Sequence, residues 1–359
     1  MKKIRKILII IQRSNGDVYL SLSLINSLVK NYKKVQIDLL VNEDTVSVAK
    51  LFPDINFIYT FSYLKKQTNQ YKQEKELFVS LFKKYDLSIN LTASDRSVIY
   101  ALISGKKSIS AIEDNVKKSW WKKLFLTNYY FFDKSSHILI NNLQPLNLLD
   151  IKHENIQSKI NFDESSSFNI KKILKKNQIK NFIIFHPSTQ YEYKVYPKHL
   201  RDRLLELLNS LNVPILVTGG NNSIDLSIKA EIPHHSNVYN FIGDTSLQDY
   251  FILSELALGY IGMDTLNMHI AASQNKRIFA IYGPTNLAMW SPWSNDLKHA
   301  TKENHSVQTY GLNTVFQAPL PCVACGKAGC NDDHGMSKCL YSISPEKIFH
   351  EIEDWLVHV

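Results

Sequence analysis

Glycine and proline are scarce in this chain, 12 and 11 among 359 residues, which excludes a collagen-like, linker-dominated or low-complexity protein. No apolar run approaches the roughly 18–20 residues of a membrane-spanning helix. Lys2 to Lys6 followed by ILIII imitate a secretory leader, but the apolar stretch stops at Gln12 and Arg13, short of the about 7–15 residues of a leader core. The protein is therefore expected in the cytoplasm, with peripheral contact to the cytoplasmic face of the inner membrane left open. Cysteine is almost missing. The four present, Cys322, Cys325, Cys330 and Cys339, all fall in one segment, so no disulfide framework spans the chain.

What is present is a globular composition, 44% hydrophobic and 21% charged, in a chain long enough for two domains with a core each. The net charge of +9 calls for an acidic partner or is a solvated surface. Its lysines are dispersed, which speaks against a nucleic-acid groove.

The alternation of short apolar runs with helical patterns sets the fold class. KILIII (Lys6 to Ile11) and VQIDLLV (Val35 to Val41) read as buried parallel strands around a helix from Val18 to Lys30. Strand-like pieces recur at Phe57 to Tyr59, Leu87 to Leu91 and His137 to Ile140. A polar stretch from about Asn141 to Lys180 reads as the linker. Alternation then restarts with NFIIFH, an amphipathic PKHLRDRLLELLNSL, VPILVTGG, a helix opened by Ser246 with Asp249, LGYIG, NMHIAAS and RIFAIYG. The expected architecture is α/β: two Rossmann-like domains with parallel sheets facing across a cleft, with ligands at the strand carboxyl ends. The expected domains are 1–165 and 166–345, with a last helix, 346–359, packing back on the first.

Five segments carry chemistry. SNGD places Gly16 and Asp17 at the end of the first strand, where a carboxylate meets a ligand or caps the helix. The absence of GxGxxG there gives no support to a dinucleotide cofactor. HPSTQYEYKVYP offers Ser188, Thr189 and Lys194, the donors and countercharge a diphosphate needs, or a polar surface loop. Gly219 and Gly220 close the next strand, as a phosphate or ribose contact or an ordinary turn. In GMDTLNMH, Asp264 and Thr265 precede a helix carrying His269, and a helix amino terminus favours an anion. Gly283, Pro284 and Thr285 end the last of these strands.

In this order the segments resemble the bacterial ADP-heptose lipopolysaccharide heptosyltransferases of glycosyltransferase family 9. The resemblance spans nearly the whole chain and is strongest from Asn181 to Trp293. It implies a GT-B-like fold with acceptor domain first and donor domain second, and inverting transfer of a heptose from ADP-heptose to a lipopolysaccharide core. Asp17 would be the general base and Lys194 would steady the donor diphosphate. Ser188 and Thr189 would touch the phosphates, and Asp264, Thr265 and His269 match the family's DTGxxH. Leu266 stands where the family has Gly, which opens the question of the donor sugar. No catalytic cofactor is implied. A protein-modifying heptosyltransferase is the alternative enzyme, and a catalytically silent nucleotide- or glycan-binding module the alternative outside enzymes.

Two features lie outside that order. Cys322-x2-Cys325-x4-Cys330-x8-Cys339 suits a structural zinc or iron site, as clusters near the carboxyl end do in part of the family, or holds four reduced thiols. KKSWWKKLF (Lys117 to Phe125) is either a basic, aromatic membrane-interface helix or a half-buried helix with its Trp pair in the core.

Overall fold

The computed structural model describes residues 4–153, 160 and 164–358. They form two units, Met1–Asn161 and Phe162–Val359, each built on one twisted sheet. In the first unit the strands are β1 (Lys6–Ile11), β2 (Gln36–Asn42), β3 (Ile55–Phe61), β4 (Tyr85–Asn90), β5 (Gly105–Ile112) and β6 (Asn128–Phe131). They lie in the order β3-β2-β1-β4-β5-β6, all parallel. Ile7 to Ile11 are fully buried, as a central strand covered on both faces demands. The order reverses between β1 and β4, so the turn leaving β1 stands at the crevice where ligands of such sheets bind. A pocket at the opposite, amino-terminal edge, lined by Lys6, Asp38, Tyr59 and Lys84, belongs to sheet structure. The buried Asp38 carboxylate there accepts from Tyr85 Oη at 2.6 Å and Asn56 Nδ2 at 2.9 Å.

The second unit repeats the plan. Its strands are β7 (Ile183–His186), β8 (Ile215–Val217), β9 (Val238–Asn240), β10 (Gly259–Met263), β11 (Arg277–Ile281), β12 (Val307–Tyr310) and β13 (Asn313–Phe316). The order is β12-β13-β11-β10-β7-β8-β9, parallel except for β12, which runs against β13 at the edge. The reversal now falls between β7 and β10. At that contact Gly262 pairs with His186 and takes φ +155°, and a Cβ on it would lie 2.4 Å from the His186 carbonyl oxygen. Gly262→Ala is therefore expected to destabilise the second unit by roughly 2–3 kcal/mol, read as a lowered denaturation midpoint.

Several local expectations change. His137–Ile140 is no strand: His137 Nδ1 accepts from Leu139 N–H at 3.2 Å and opens the helix Ile138–Leu148. The expected helix over Val18–Lys30 is two, Asn15–Tyr19 and Leu22–Asn31, parted where the Ser21 hydroxyl donates to the Val18 carbonyl at 2.6 Å, a bond that competes with the helix ladder. The expected linker holds most of two helices, Ile138–Leu148 and Glu164–Lys176, while 154–159 and 161–163 lie outside the described residues. The last helix, Pro345–Leu356, spends its apolar stripe on the second unit, to which it belongs. Ile348, Phe349 and Ile352 join that unit's core, and the Trp355 ring lies 5.5 Å from that of Phe279.

Candidate active site

The turn after β1 builds the first part of the site. Ser14 precedes the short helix Asn15–Tyr19, and its hydroxyl and amide donate to Asp17 Oδ2 at 2.6 and 3.2 Å. Arg13 Nε reaches Asp17 Oδ1 at 2.6 Å, while the guanidinium lies 4.5 Å over the Phe132 ring. Asn142 Nδ2 donates to the Asp17 backbone carbonyl at 3.4 Å. Asp17 is thus the acidic member of a capping box and half of an ion pair, and it is 3% exposed. Burial raises its pKa above the ordinary 3.8, opposed by the Arg13 cation and the Ser14 hydrogen bonds. A carboxylate made more basic, on the turn that leaves β1 at the reversal point, can take a proton. Spacing alone offered one signal for Arg13, its place four residues before Asp17.

The second part gathers at the carboxyl ends of β7, β10 and β11. Lys194 sits in a short 3-10 turn, Glu192–Lys194, and its Nζ stands 3.3 Å from Asp264 Oδ2, the two side chains 25% and 10% exposed. Segments 70 residues apart thereby meet. Thr265 is the amino-terminal cap of the helix Leu266–Ser273, with its Oγ1 3.5 Å from Tyr260 Oη. Leu266 is half-buried in the first helical position. His269, one turn on, is buried, and burial above all depresses its pKa to about 4, with Lys194 adding to the shift and Asp264 opposing it. His186 is likewise pushed down to about 4, chiefly by burial. Its Nδ1 lies 3.0 Å from Thr218 Oγ1 and 3.3 Å from Asn267 Nδ2. Both imidazoles are neutral near pH 7, so the cation of this edge is Lys194.

The remaining expected donors are placed differently. The buried Ser188 hydroxyl donates to Asp225, and Thr189 closes its own turn, donating to the Tyr191 carbonyl at 2.6 Å. Their protons are spent within the protein. Gly219 and Gly220 make room for the same Asp225: Cβ atoms there would lie 3.1 and 2.8 Å from its carboxylate oxygens. Asp225 in turn is fixed by a capping box with Asn222, whose Oδ1 accepts the Asp225 N–H at 2.9 Å. Asn222-x-x-Asp225 was the missed signal. Gly283 lies against Leu340, which a Cβ would meet at 3.0 Å. The Pro284 carbonyl accepts the Gly326 N–H at 2.7 Å, and Thr285 is buried.

That last bond ties the site's edge to the cysteine segment, as does the Tyr193 ring, 5.8 Å from His334. The thiols do not form the expected centre. Cys322, Cys325 and Cys330 are exposed and Cys339 is buried. Among the described residues no group of three or more His, Cys, Asp or Glu side chains is arranged to hold a metal ion. Burial, then the neighbouring Cys330, raise the Cys339 pKa to about 11.

Comparison with known proteins bears on this arrangement. The family described as glycosyltransferase family 9 (heptosyltransferase) matches residues 75–316. Lipopolysaccharide heptosyltransferase 3 of Escherichia coli is 24% identical over 295 residues, 79% of this chain and 85% of that protein. The E. coli heptosyltransferase WaaC with ADP superposes with a TM-score of 0.70 at 15% identity, over 97% of this chain and 99% of the other. The E. coli ADP-heptose lps heptosyltransferase II gives 0.69 at 17%, over 98% and 99%.

Proposed function

The chain belongs to glycosyltransferase family 9, the heptosyltransferases, and from that premise we propose that it transfers a heptosyl group from ADP-heptose to a lipopolysaccharide core acceptor with inversion. The observation that carries the reading is the meeting of Lys194 with Asp264, next to the helix cap Thr265, at the reversal point of the second sheet. In this reading the adenosine diphosphate lies at that edge. Lys194 and the first amides of the helix Leu266–Ser273 take up charge as the glycosidic C–O bond to the diphosphate breaks. Asp264 holds the ammonium in place and faces sugar hydroxyls, since a carboxylate turned to phosphate would repel it. Asp17 accepts the proton of the acceptor hydroxyl as its oxygen attacks the anomeric carbon. The reaction in this form uses no cofactor. Incubation with ADP-heptose and a Kdo-terminated lipopolysaccharide precursor is expected to add one heptose by mass spectrometry and release ADP in equal amount. Release of ADP with no heptose on any acceptor would overturn the transfer.

The reading also fixes a pH response. A base works only when ionised, so turnover is present above the Asp17 pKa and lost as pH falls through it. That pKa is raised, so the acid limb of kcat/KM is expected above the ordinary carboxylate range. Arg13 opposes the rise, and Arg13→Gln should therefore move the limb to still higher pH. An unmoved limb would remove Asp17 from the reaction.

A further inference from the structure

The helix Val116–Phe125, sequence VKKSWWKKLF, divides its side chains in a way the transfer reaction does not explain. Inward, Ser119 is fully buried and Lys122 is 1% exposed, its Nζ on Asp95 Oδ1 at 2.7 Å and the Ala93 carbonyl at 3.0 Å. Trp121 packs against the cluster of Val98, Ile112 and Leu126. The expectation of a Trp pair in the core thus holds for Trp121 and fails for Trp120. Trp120 is 61% exposed, Leu124 70% and Phe125 64%. Large apolar groups grouped this way on a surface mark an interaction site.

We infer that this face seats the protein on an anionic lipid surface. Around the three apolar side chains stand Lys117 and Lys118, both exposed, and the helix contains no carboxylate. Glu113, just before it, lies 4.0 Å from the Lys118 ammonium. The patch continues onto β6, the edge strand of the first sheet, where Phe131 is 42% exposed. Lys123, half-buried, lays its ammonium 4.8 Å over the Phe131 ring. Trp and Lys around an apolar centre match the layers of a bilayer interface, with rings at headgroup depth and ammonium groups on lipid phosphates. The charge of the chain, +9, has the sign such a surface attracts. No helix among the described residues is long and apolar enough to cross a membrane, so the contact is peripheral.

The inference rests on the surface alone and is tested without donor or acceptor, so its failure and that of the transfer reading are separable. The full chain is sedimented with phosphatidylcholine vesicles with and without phosphatidylglycerol. Binding to the anionic vesicles is expected, weakened by salt. Trp120→Ala/Leu124→Ala/Phe125→Ala should lower the partition coefficient about tenfold or more, and Lys117→Glu/Lys118→Glu should remove the preference for phosphatidylglycerol. All five positions are exposed, so unchanged melting is expected, and the charge variant guards against a folding effect in the first. Parent protein that stays in the supernatant with anionic vesicles would overturn the inference. So would variants that bind as the parent does, or a face whose only measurable effect is self-association or capture of another protein.

Discussion

Asp17→Asn is expected to reduce transfer by about 10²–10⁴-fold while donor affinity stays within error. Asparagine keeps the side-chain shape and one acceptor for the Ser14 amide or hydroxyl, which now bond the carboxylate. It loses the basicity, and it leaves the Arg13 guanidinium, now 2.6 Å from Oδ1, without its countercharge. Two effects therefore separate. A residue that only caps its helix would cost about 0.5–2 kcal/mol of stability and leave kcat of the folded fraction near that of the parent. A general base would lower kcat at every donor concentration in protein that is still folded. Initial rates, calorimetric titration with ADP and a melting curve on one preparation distinguish the two. Full turnover in the variant would make Asp17 a cap and place the base elsewhere.

Lys194→Ala is expected to act on the other substrate. A charge-assisted contact to phosphate contributes about 1.5–3 kcal/mol, so ADP affinity should fall about 10- to 150-fold. The loss should exceed what charge removal alone gives, because Asp264, 3.3 Å away and mostly buried, loses its countercharge and its uncompensated negative charge then disfavours a diphosphate bound nearby. Lys194→Ala/Asp264→Asn should therefore recover part of the binding. Raised salt should weaken the parent in the same direction. Unchanged ADP affinity in the single variant would mark Lys194 as a surface lysine paired with Asp264 for stability.

Much of the fold was legible because parallel strands buried on both faces read as continuous apolar runs. KILIII and RIFAI became β1 and β11 on that ground alone, and Ser246 with Asp249 opened its helix through the expected box. β5, GKKSISAI, escaped because its exposed first residues break the run. HILI suits either element because three apolar residues do not decide between them, and the cap that settles it is a histidine nitrogen. The site was legible in its order, since HPST, Lys194 and the DT pair do share one sheet edge. What pattern reading could not supply is where hydroxyl protons go: Ser188 to Asp225 and Thr189 into its own turn. Nor did the clustering of four cysteines foretell that Cys339 would be drawn into the apolar core.

The most direct test of the account is the anomeric configuration of the product formed from ADP-heptose in a single turnover, read by proton NMR before any rearrangement. In-line attack by an acceptor oxygen deprotonated at Asp17, with diphosphate leaving toward Lys194, predicts a configuration opposite to the donor's. A product with the donor's configuration would require a different reaction path and contradict the roles given to both residues.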